Sequence, residues 1–171
     1  MNEVVTIISA EETNAYSRTL RFNASFDARP GQFIMVWAPG IEEIPLSLSS
    51  TGDVKAVTFK AVGDDTRKLS RLSAGDRLHV RGPYGNGFDL SSERILLVGG
   101  GIGIAPLMPI LAEREADAVF AARDGEEVGY CIPLADGLGC RHWISTDDGS
   151  LGFKGNAVQL VSKVLDEYEY D

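Results

Sequence analysis

The stretch from Arg94 to Pro106, RILLVGGGIGIAP, constrains the fold more than any other part of the chain. It begins with the apolar run Ile95 to Val98, which is typical of a strand buried on both faces of a sheet. Glycines interrupt the run, and an apolar helical pattern restarts at Pro106. Glycine lets the backbone approach a phosphate, and the free N–H groups at a helix start attract one. The order of strand, glycine turn and helix therefore predicts a nucleotide-phosphate site.

This stretch is not a complete dinucleotide-binding fingerprint. From Gly101 it reads G-x-G-x-x-P, with Pro106 at the position of the third glycine. About 20 residues beyond the glycines stands Arg123, where an acidic residue would hold a ribose hydroxyl. Judged alone, these residues leave open a glycine-rich turn with a purely structural role.

Composition and charge exclude several classes of partner. The 171 residues carry a formal net charge of −9, which argues against nucleic acid and anionic membrane surfaces. No apolar run approaches the roughly 20 residues of a membrane span, and the first residues do not have the pattern of a signal peptide. We expect a cytoplasmic protein that binds neither nucleic acid nor membrane.

The cysteines and histidines do not predict a metal site. Cys131 and Cys140 are expected to be reduced thiols. An iron–sulfur cluster needs four ligands, so these two cannot hold a [2Fe-2S] cluster unaided. His79 and His142 fall in predicted strands, and no ligand spacing surrounds either of them.

The first half of the chain, to about residue 92, is predicted to be a small all-β domain. Short runs of β-branched and aromatic residues alternate with turn signals. Many short strands at this spacing indicate an antiparallel barrel or sandwich. The predicted elements are Val4–Ile8, Arg18–Phe22, Phe33–Trp37, Val54–Phe59 and Arg77–Val80 as strands, with a turn or two of helix in Thr66–Leu72.

Residues 93–171 change to an alternation of strand and helix, which is typical of a parallel α/β sheet. Strands are predicted at Ala118–Ala122 and Arg141–Ser145, after the strand and helix of the glycine turn. A last helix is predicted at Asn156–Tyr168, with Asn156 as its N-cap. Three strands and two helices make a short domain, and the last strand is expected to leave an unpaired edge.

An ordered set of further motifs carries a family resemblance. The motifs are Pro30-Gly31-Gln32-Phe33, Pro45-Leu46-Ser47-Leu48, Gly63-Asp64-Asp65-Thr66-Arg67-Lys68-Leu69, Gly82-Pro83-Tyr84-Gly85-Asn86-Gly87-Phe88, and the stretch TDDGSLGFKG at 146–155. With them the chain resembles the ferredoxin–NADP reductase superfamily, and within it the electron-transfer subunit of dihydroorotate dehydrogenase. The resemblance implies an N-terminal antiparallel Greek-key β-barrel that binds flavin, residues 1–92. A shortened Rossmann-like parallel α/β domain for NAD(P), residues 93–171, would follow it.

The same resemblance implies two sets of binding residues and identifies no catalytic residue. FAD is expected at Ile44, Pro45, Leu46, Ser47, Phe59, Lys60, Gly63, Asp65 and Thr66. NAD(P) is expected at Gly99, Gly100, Gly101, Ile102, Gly103, Arg123, Thr146 and Asp147. Each assignment has a plainer alternative, since Ser47 is equally a strand-end serine facing water and Thr66 an ordinary helix cap.

The chain departs from the family pattern around the flavin phosphates. Ile44 stands where the family usually has an arginine, and two glutamates, Glu42 and Glu43, precede it. Asp65 replaces a common glycine, which adds bulk and negative charge. Lys60, Arg67 and Lys68 lie nearby in the sequence as candidate replacements for the lost positive charge.

The resemblance implies an electron-transfer flavoprotein subunit of pyrimidine biosynthesis, passing reducing equivalents between NAD(P)H, FAD and a partner redox subunit. The family continues beyond the equivalent of Asp171 with another strand, and the dihydroorotate dehydrogenase subunit adds four cysteines for a [2Fe-2S] cluster. We therefore expect a partner chain that supplies these parts, or a second copy that covers the sheet edge. The alternatives are a non-catalytic FAD- or nucleotide-binding module for regulation or assembly, and a structural subunit with both sites empty.

Overall fold

The computed structural model describes all 171 residues. The chain divides into two compact units, Met1–Phe88 and Asp89–Asp171. The first is a closed antiparallel barrel and the second a parallel sheet flanked by helices, so the expected fold class is confirmed. None of the helices has the length and apolar character needed to cross a bilayer.

Six strands close the barrel in the order β1-β2-β5-β4-β3-β6. The elements are β1 (Asn2–Asn14), β2 (Ser17–Asn23), β3 (Phe33–Trp37), β4 (Ile44–Ser50), β5 (Val54–Lys60), α1 (Asp64–Leu69) and β6 (Arg77–Tyr84). Strand β1 is longer than the predicted Val4–Ile8 because its first part pairs with β6 and its second part with β2. Strand β1 therefore forms hydrogen-bonded pairs with both of its neighbours in the barrel.

Alternation along each strand separates the barrel core from its outer face. In β3, Ile34 and Val36 are fully buried, whereas Phe33, Met35 and Trp37 are only half-buried. Each of the other five strands also contributes buried aliphatic or aromatic side chains to this core. The half-buried side chains of β3 thus lie on the outside of the barrel.

The second unit is a four-stranded parallel sheet in the order β10-β9-β8-β7. Its elements are β7 (Leu96–Gly100), α2 (Met108–Glu113), β8 (Asp117–Ala122), α3 (Gly125–Val128), α4 (Ile132–Gly137), β9 (His142–Thr146), β10 (Phe153–Lys154) and α5 (Ala157–Glu167), with 3-10 segments at Gly101–Leu107 and Gly129–Cys131. Leu160 and Val164 of α5 pack with Val119 on one face. The helices between β7 and β9 cover the other face.

The prediction that Ile95–Val98 is buried on both faces was wrong. Leu97 is buried, but Val98 is 46% exposed. The reason is topological: β7 is an edge strand, and on the α5 face only Leu96 belongs to the apolar cluster around α5. The expectation that the last predicted strand, Arg141–Ser145, leaves an unpaired edge was also wrong, because the unpredicted β10 pairs with it. The edges of the sheet are β7 and β10.

Helix α5 begins at the N-cap predicted from the sequence. The Asn156 side-chain oxygen accepts a hydrogen bond from the Gln159 N–H at 3.0 Å, and the Gln159 side chain accepts one from the Asn156 N–H at 3.0 Å. This reciprocal capping box satisfies two N–H groups that the helix itself leaves unpaired.

We predict that Asn156→Ala lowers the free energy of unfolding of the α/β unit by about 1 kcal/mol, because the N-cap acceptor is lost. The control Asn156→Asp keeps an acceptor oxygen and is expected to leave it unchanged. The measurement is urea unfolding followed by fluorescence of Trp143, whose ring lies 5.2 Å from that of Tyr168 beyond α5, in a Trp37→Phe background. Equal losses in both variants would contradict the capping role.

Candidate functional site

The carboxyl ends of three parallel strands bring most of the predicted nucleotide residues to one edge of the sheet. Strands β7, β8 and β9 end at Gly100, Ala122 and Thr146. In the register, Gly100 pairs with Ala121 and Ala122 with Thr146. This is the edge where open α/β sheets bind ligands.

The glycine turn combines close packing with open space. An added Cβ at Gly99 would lie 2.8 Å from Leu107 Cδ1 and 3.0 Å from the Ile104 Cα, so Gly99 lets the following segment pack directly on β7. At Gly103 an added Cβ would meet no atom within 4 Å. Gly101 has a φ of +53°, which favours glycine. The turn therefore leaves exposed backbone around residue 103.

The helical segment begins earlier than the sequence pattern predicts. A 3-10 segment starts at Gly101, directly after β7, and α2 continues it from Met108. Pro106 lies inside the 3-10 segment rather than at the helix start. The N–H groups of Ile102 and Gly103 lie in the first turn of this segment, where backbone donors have no partner within the helix.

The loop after β9 is organised by the Thr146 hydroxyl. Thr146 is fully buried, and its Oγ1 donates to the Leu151 carbonyl at 2.8 Å and accepts from the Leu151 N–H at 3.1 Å. Gly152 has a φ of +68°, and an added Cβ there would collide with the Ile144 carbonyl. The Thr146 side chain thus holds the loop, and Asp147 is the exposed member of the predicted pair.

Arg123 follows β8 and is held by a glutamate that the sequence analysis did not identify. Glu127 Oε2 lies 3.2 Å from both the backbone N and the Nε of Arg123. Glu127 is only 2% exposed, whereas the Arg123 side chain is 62% exposed. The spacing of the pair gave no helical signal, because Arg123 precedes the N-cap Asp124 whereas Glu127 lies within α3 (Gly125–Val128).

On the barrel, strand alternation divides the predicted flavin segment of β4. Pro45 and Ser47 are exposed on the outer face, and Ser47 is paired in register with Phe33. Ile44 and Leu46 instead pack against the core. The Ser47 hydroxyl has no hydrogen bond within the protein, so it remains available for a ligand.

The end of β5 and helix α1 hold the other predicted flavin residues. Phe59 is 2% exposed and belongs to the barrel core, so its side chain does not reach the surface. Lys60 is half-buried at the end of β5. Thr66 Oγ1 lies 2.9 Å from the Gly63 N and 3.0 Å from its carbonyl oxygen. The hydroxyl of Thr66, in the first turn of α1, therefore hydrogen-bonds to the N-cap residue Gly63.

The unusual Asp65 is tied to the loop before β4. Its Oδ1 accepts from the Glu42 N–H at 3.3 Å and lies 3.5 Å from Lys68 Nζ. Lys68 also donates to the Gly40 carbonyl at 2.8 Å. Arg67 pairs in turn with Asp64 at 3.2 Å. Both basic residues of α1 are thus partnered with carboxylates of the same helix.

Glu43, the other negative charge near the expected flavin phosphates, is neutralised by an arginine from another strand. Arg81 of β6 donates from Nε and Nη2 to the two Glu43 oxygens at 2.9 and 2.7 Å. It also donates to the Tyr84 hydroxyl at 2.7 Å and lies over the Tyr84 ring. The hydrogen bond from Arg81 holds the pKa of Glu43 below its usual range, and the same bond raises the pKa of Arg81.

The cysteines and histidines are not among the residues of the candidate nucleotide and flavin sites described above. Both cysteines are free, and burial raises the pKa of Cys131 to about 12 and that of Cys140 to about 11. They are therefore protonated thiols and poor nucleophiles at neutral pH. His79 stacks on Trp37 at 4.8 Å, and His142 lies 3.8 Å from Asp136. No group of three potential metal ligands occurs.

Comparison with known proteins finds close relatives, although no family model matches the sequence. The chain is 49% identical over 152 residues to a protein of Thermoplasma volcanium and 42% identical over 160 residues to one of Thermoplasma acidophilum. It is 37% identical over 177 residues to one of Thermococcus kodakarensis. Each is named a probable dihydroorotate dehydrogenase B (NAD(+)) electron transfer subunit. The matches cover 88, 94 and 99% of this chain but 59, 62 and 72% of those proteins.

Solved structures share the fold. The NADH-dependent reduced ferredoxin-NADP oxidoreductase superposes with a TM-score of 0.83 at 27% identity, covering 99% of this chain and 66% of that one. The ferredoxin reductase of carbazole 1,9a-dioxygenase gives 0.81 at 18% identity, covering 98% of this chain and 58% of that one. The second likeness concerns the architecture alone.

We predict that Arg81→Ala returns the pKa of Glu43 toward its ordinary value of 4.5, because the bidentate partner is removed. With Arg81 present the ion pair is complete at neutral pH and is lost as the pH falls through the lowered pKa of Glu43. The measurement is NMR titration of the Glu43 carboxyl carbon. Arg77→Ala, on the same strand and outside any ion pair, is the control. Identical titration curves in both variants would refute the pairing.

Proposed function

Because the chain belongs to the family of dihydroorotate dehydrogenase B electron transfer subunits, we propose that it is a flavoprotein subunit that passes reducing equivalents between a nicotinamide nucleotide, FAD and a partner redox subunit. The observation that carries this proposal is a closed barrel with Ser47 exposed on its outer face, followed along the chain by a parallel sheet whose glycine turn is open at residue 103. The relatives' names specify NAD(+), and we extend that preference to this chain.

The outer face of the barrel fits FAD at β4 and α1. Ser47 offers an uncommitted hydroxyl beside the half-buried ring of Phe33, which suits the polar edge and flat face of a flavin. The backbone around Gly63 and Thr66 would hold the phosphates at the start of α1. FAD, when bound, supplies two-electron chemistry with nicotinamide and one-electron transfer onward, and the protein contributes position and electrostatics.

The charges near these residues are compatible with a bound pyrophosphate. Arg81 neutralises Glu43, and Lys68 lies against Asp65, so neither carboxylate is an isolated negative charge. The arginine that the family places at position 44 is therefore unnecessary for cancelling Glu43. Lys60 is half-buried at the end of β5.

The carboxyl edge of the sheet fits the dinucleotide. Gly100, Gly101, Ile102 and Gly103 would hold its pyrophosphate, because a side chain at residue 103 would fill the space that the ligand needs. Asp147 lies exposed on the loop after β9, and Arg123 follows β8 at the expected adenosine end. Gly99 contributes indirectly, by letting the next segment pack on β7, and Thr146 contributes indirectly, by holding the loop after β9.

The partner is proposed to be a redox subunit. The relatives are electron transfer subunits by name, which implies a second subunit that receives or delivers electrons. The open edge of β7, with Val98 46% exposed, is a suitable contact for added polypeptide, because its backbone groups lack strand partners and its apolar side chain lacks cover. The chain spans 59 and 62% of the length of the two Thermoplasma relatives.

The proposal predicts that the purified protein, incubated with FAD and freed of excess by gel filtration, remains yellow. Anaerobic NADH is expected to bleach its flavin absorbance. A yellow protein that NADH does not bleach, even with the partner subunit added, would favour the non-catalytic binding module. A colourless protein that cannot be reconstituted would overturn the flavin assignment.

Gly103→Val tests the nucleotide turn separately. We expect the dissociation constant of NADH to rise about tenfold, equivalent to losing one hydrogen bond to a charged group, with FAD content and unfolding midpoint unchanged. The control is Gly129→Val in the same unit, where an added Cβ also meets no atom within 4 Å. Equal NADH affinity in the two variants would place the nucleotide elsewhere.

A further inference from the structure

The end of β8 carries a buried carboxylate whose partner is an exposed arginine. Glu127 is 2% exposed, and its Oε2 accepts from the backbone N–H and the Nε–H of Arg123. Its own N–H donates to the Asp124 side chain at 2.8 Å, within the first turn of α3. A buried carboxylate fixed in this way cannot turn to solvent, so its negative charge stays beside the guanidinium.

Other acidic groups surround the same point. The Asp147 N–H donates to the Ala122 carbonyl at 3.1 Å, and the Asp148 N–H donates to the Arg123 carbonyl at 3.2 Å. These bonds bring both acidic residues to the end of β8. Hydrogen bonds from the Ser150 hydroxyl and N–H lower the pKa of Asp148, so that this carboxylate is ionised at neutral pH. Carboxylates therefore outnumber cations at the end of β8, where Lys154, whose side chain packs against Gly149, is a second cation beside Arg123.

The position matters because it is where dinucleotide-binding sheets place the adenosine ribose, at the end of the second strand. A ribose 2′-phosphate adds about 1.5 to 2 negative charges relative to a hydroxyl. An arginine there usually attracts that phosphate. Here Glu127 already pairs with Arg123, so a phosphate would gain less from the guanidinium and would also meet the repulsion of Asp147 and Asp148.

We propose that Glu127 is a positioning residue that makes this edge selective for a dinucleotide with a free 2′-hydroxyl over one with a 2′-phosphate. The inference rests on the proposed nucleotide site and names the residue that would produce its preference for NAD(+). Glu127 acts through Arg123: it fixes the guanidinium and cancels its charge, while the exposed side of the arginine is left to contact a neutral ribose.

The test compares ADP-ribose with 2′-phospho-ADP-ribose, two ligands that differ only at the 2′ position and cannot be reduced or oxidised. Dissociation constants are measured by calorimetry on the full chain in excess FAD. Wild-type protein is expected to favour ADP-ribose by about tenfold or more, and Glu127→Gln to reduce this preference about tenfold, since one charge opposite a phosphate is removed. The control Glu126→Gln removes the same charge from the adjacent, exposed glutamate and is expected to change the ratio less than about twofold.

Arg123→Ala gives a second, independent arm and concerns a side chain that is 62% exposed. Without the guanidinium, the Glu127 charge is uncompensated, so the preference for ADP-ribose is expected to increase. A Glu127→Gln ratio that moves no further than that of Glu126→Gln, or an Arg123→Ala ratio that falls, would overturn the role of Glu127. Failure of every variant and of wild type to bind either ligand would instead overturn the nucleotide site itself.

Discussion

The close approach of Gly99 to the segment that follows it is the contact on which the α/β unit depends. Because residue 99 has no side chain, Ile104 and Leu107 lie directly on β7, and the 3-10 segment can start at Gly101 without an intervening loop. That start leaves the first N–H groups of the segment at the carboxyl edge of the sheet. The close packing on β7 and the position of these N–H groups therefore share one cause.

The two other strand ends at this edge are organised by polar contacts instead of by packing. Thr146 closes the loop after β9 through its hydroxyl, and Glu127 holds Arg123 after β8. In both cases a buried polar group satisfies its hydrogen bonds within the protein and has an exposed neighbour at the strand end. The exposed residues are Asp147 and Arg123.

The barrel shows how one departure from a family motif is compensated by a residue distant in sequence and another by a neighbour on the same helix. From the sequence alone, Glu43 and Asp65 are expected to disfavour the binding of a flavin pyrophosphate. Arg81, 38 positions beyond Glu43, forms a bidentate pair with it, and Asp65 joins α1 to the loop before β4 through Glu42 and Lys68. Charge balance at this face is thus a property of the closed barrel.

The sequence by itself determined the all-β and α/β character of the two halves, the glycine turn and the N-cap of α5, because each depends on local backbone preferences and on the periodicity of apolar residues. Strand spacing left a barrel and a sandwich open, and the motifs of the resemblance favoured the barrel. The motif Pro45-Leu46-Ser47-Leu48 lies on β4, where strand alternation separates Pro45 and Ser47 from Ile44 and Leu46. Only the tertiary structure decided that Val98 lies at an exposed edge, that Arg81 meets Glu43 and that Phe59 points into the core. The physical reason is that strand order and long-range pairing set those environments, and contacts between residues far apart in the chain leave no periodic trace in its sequence.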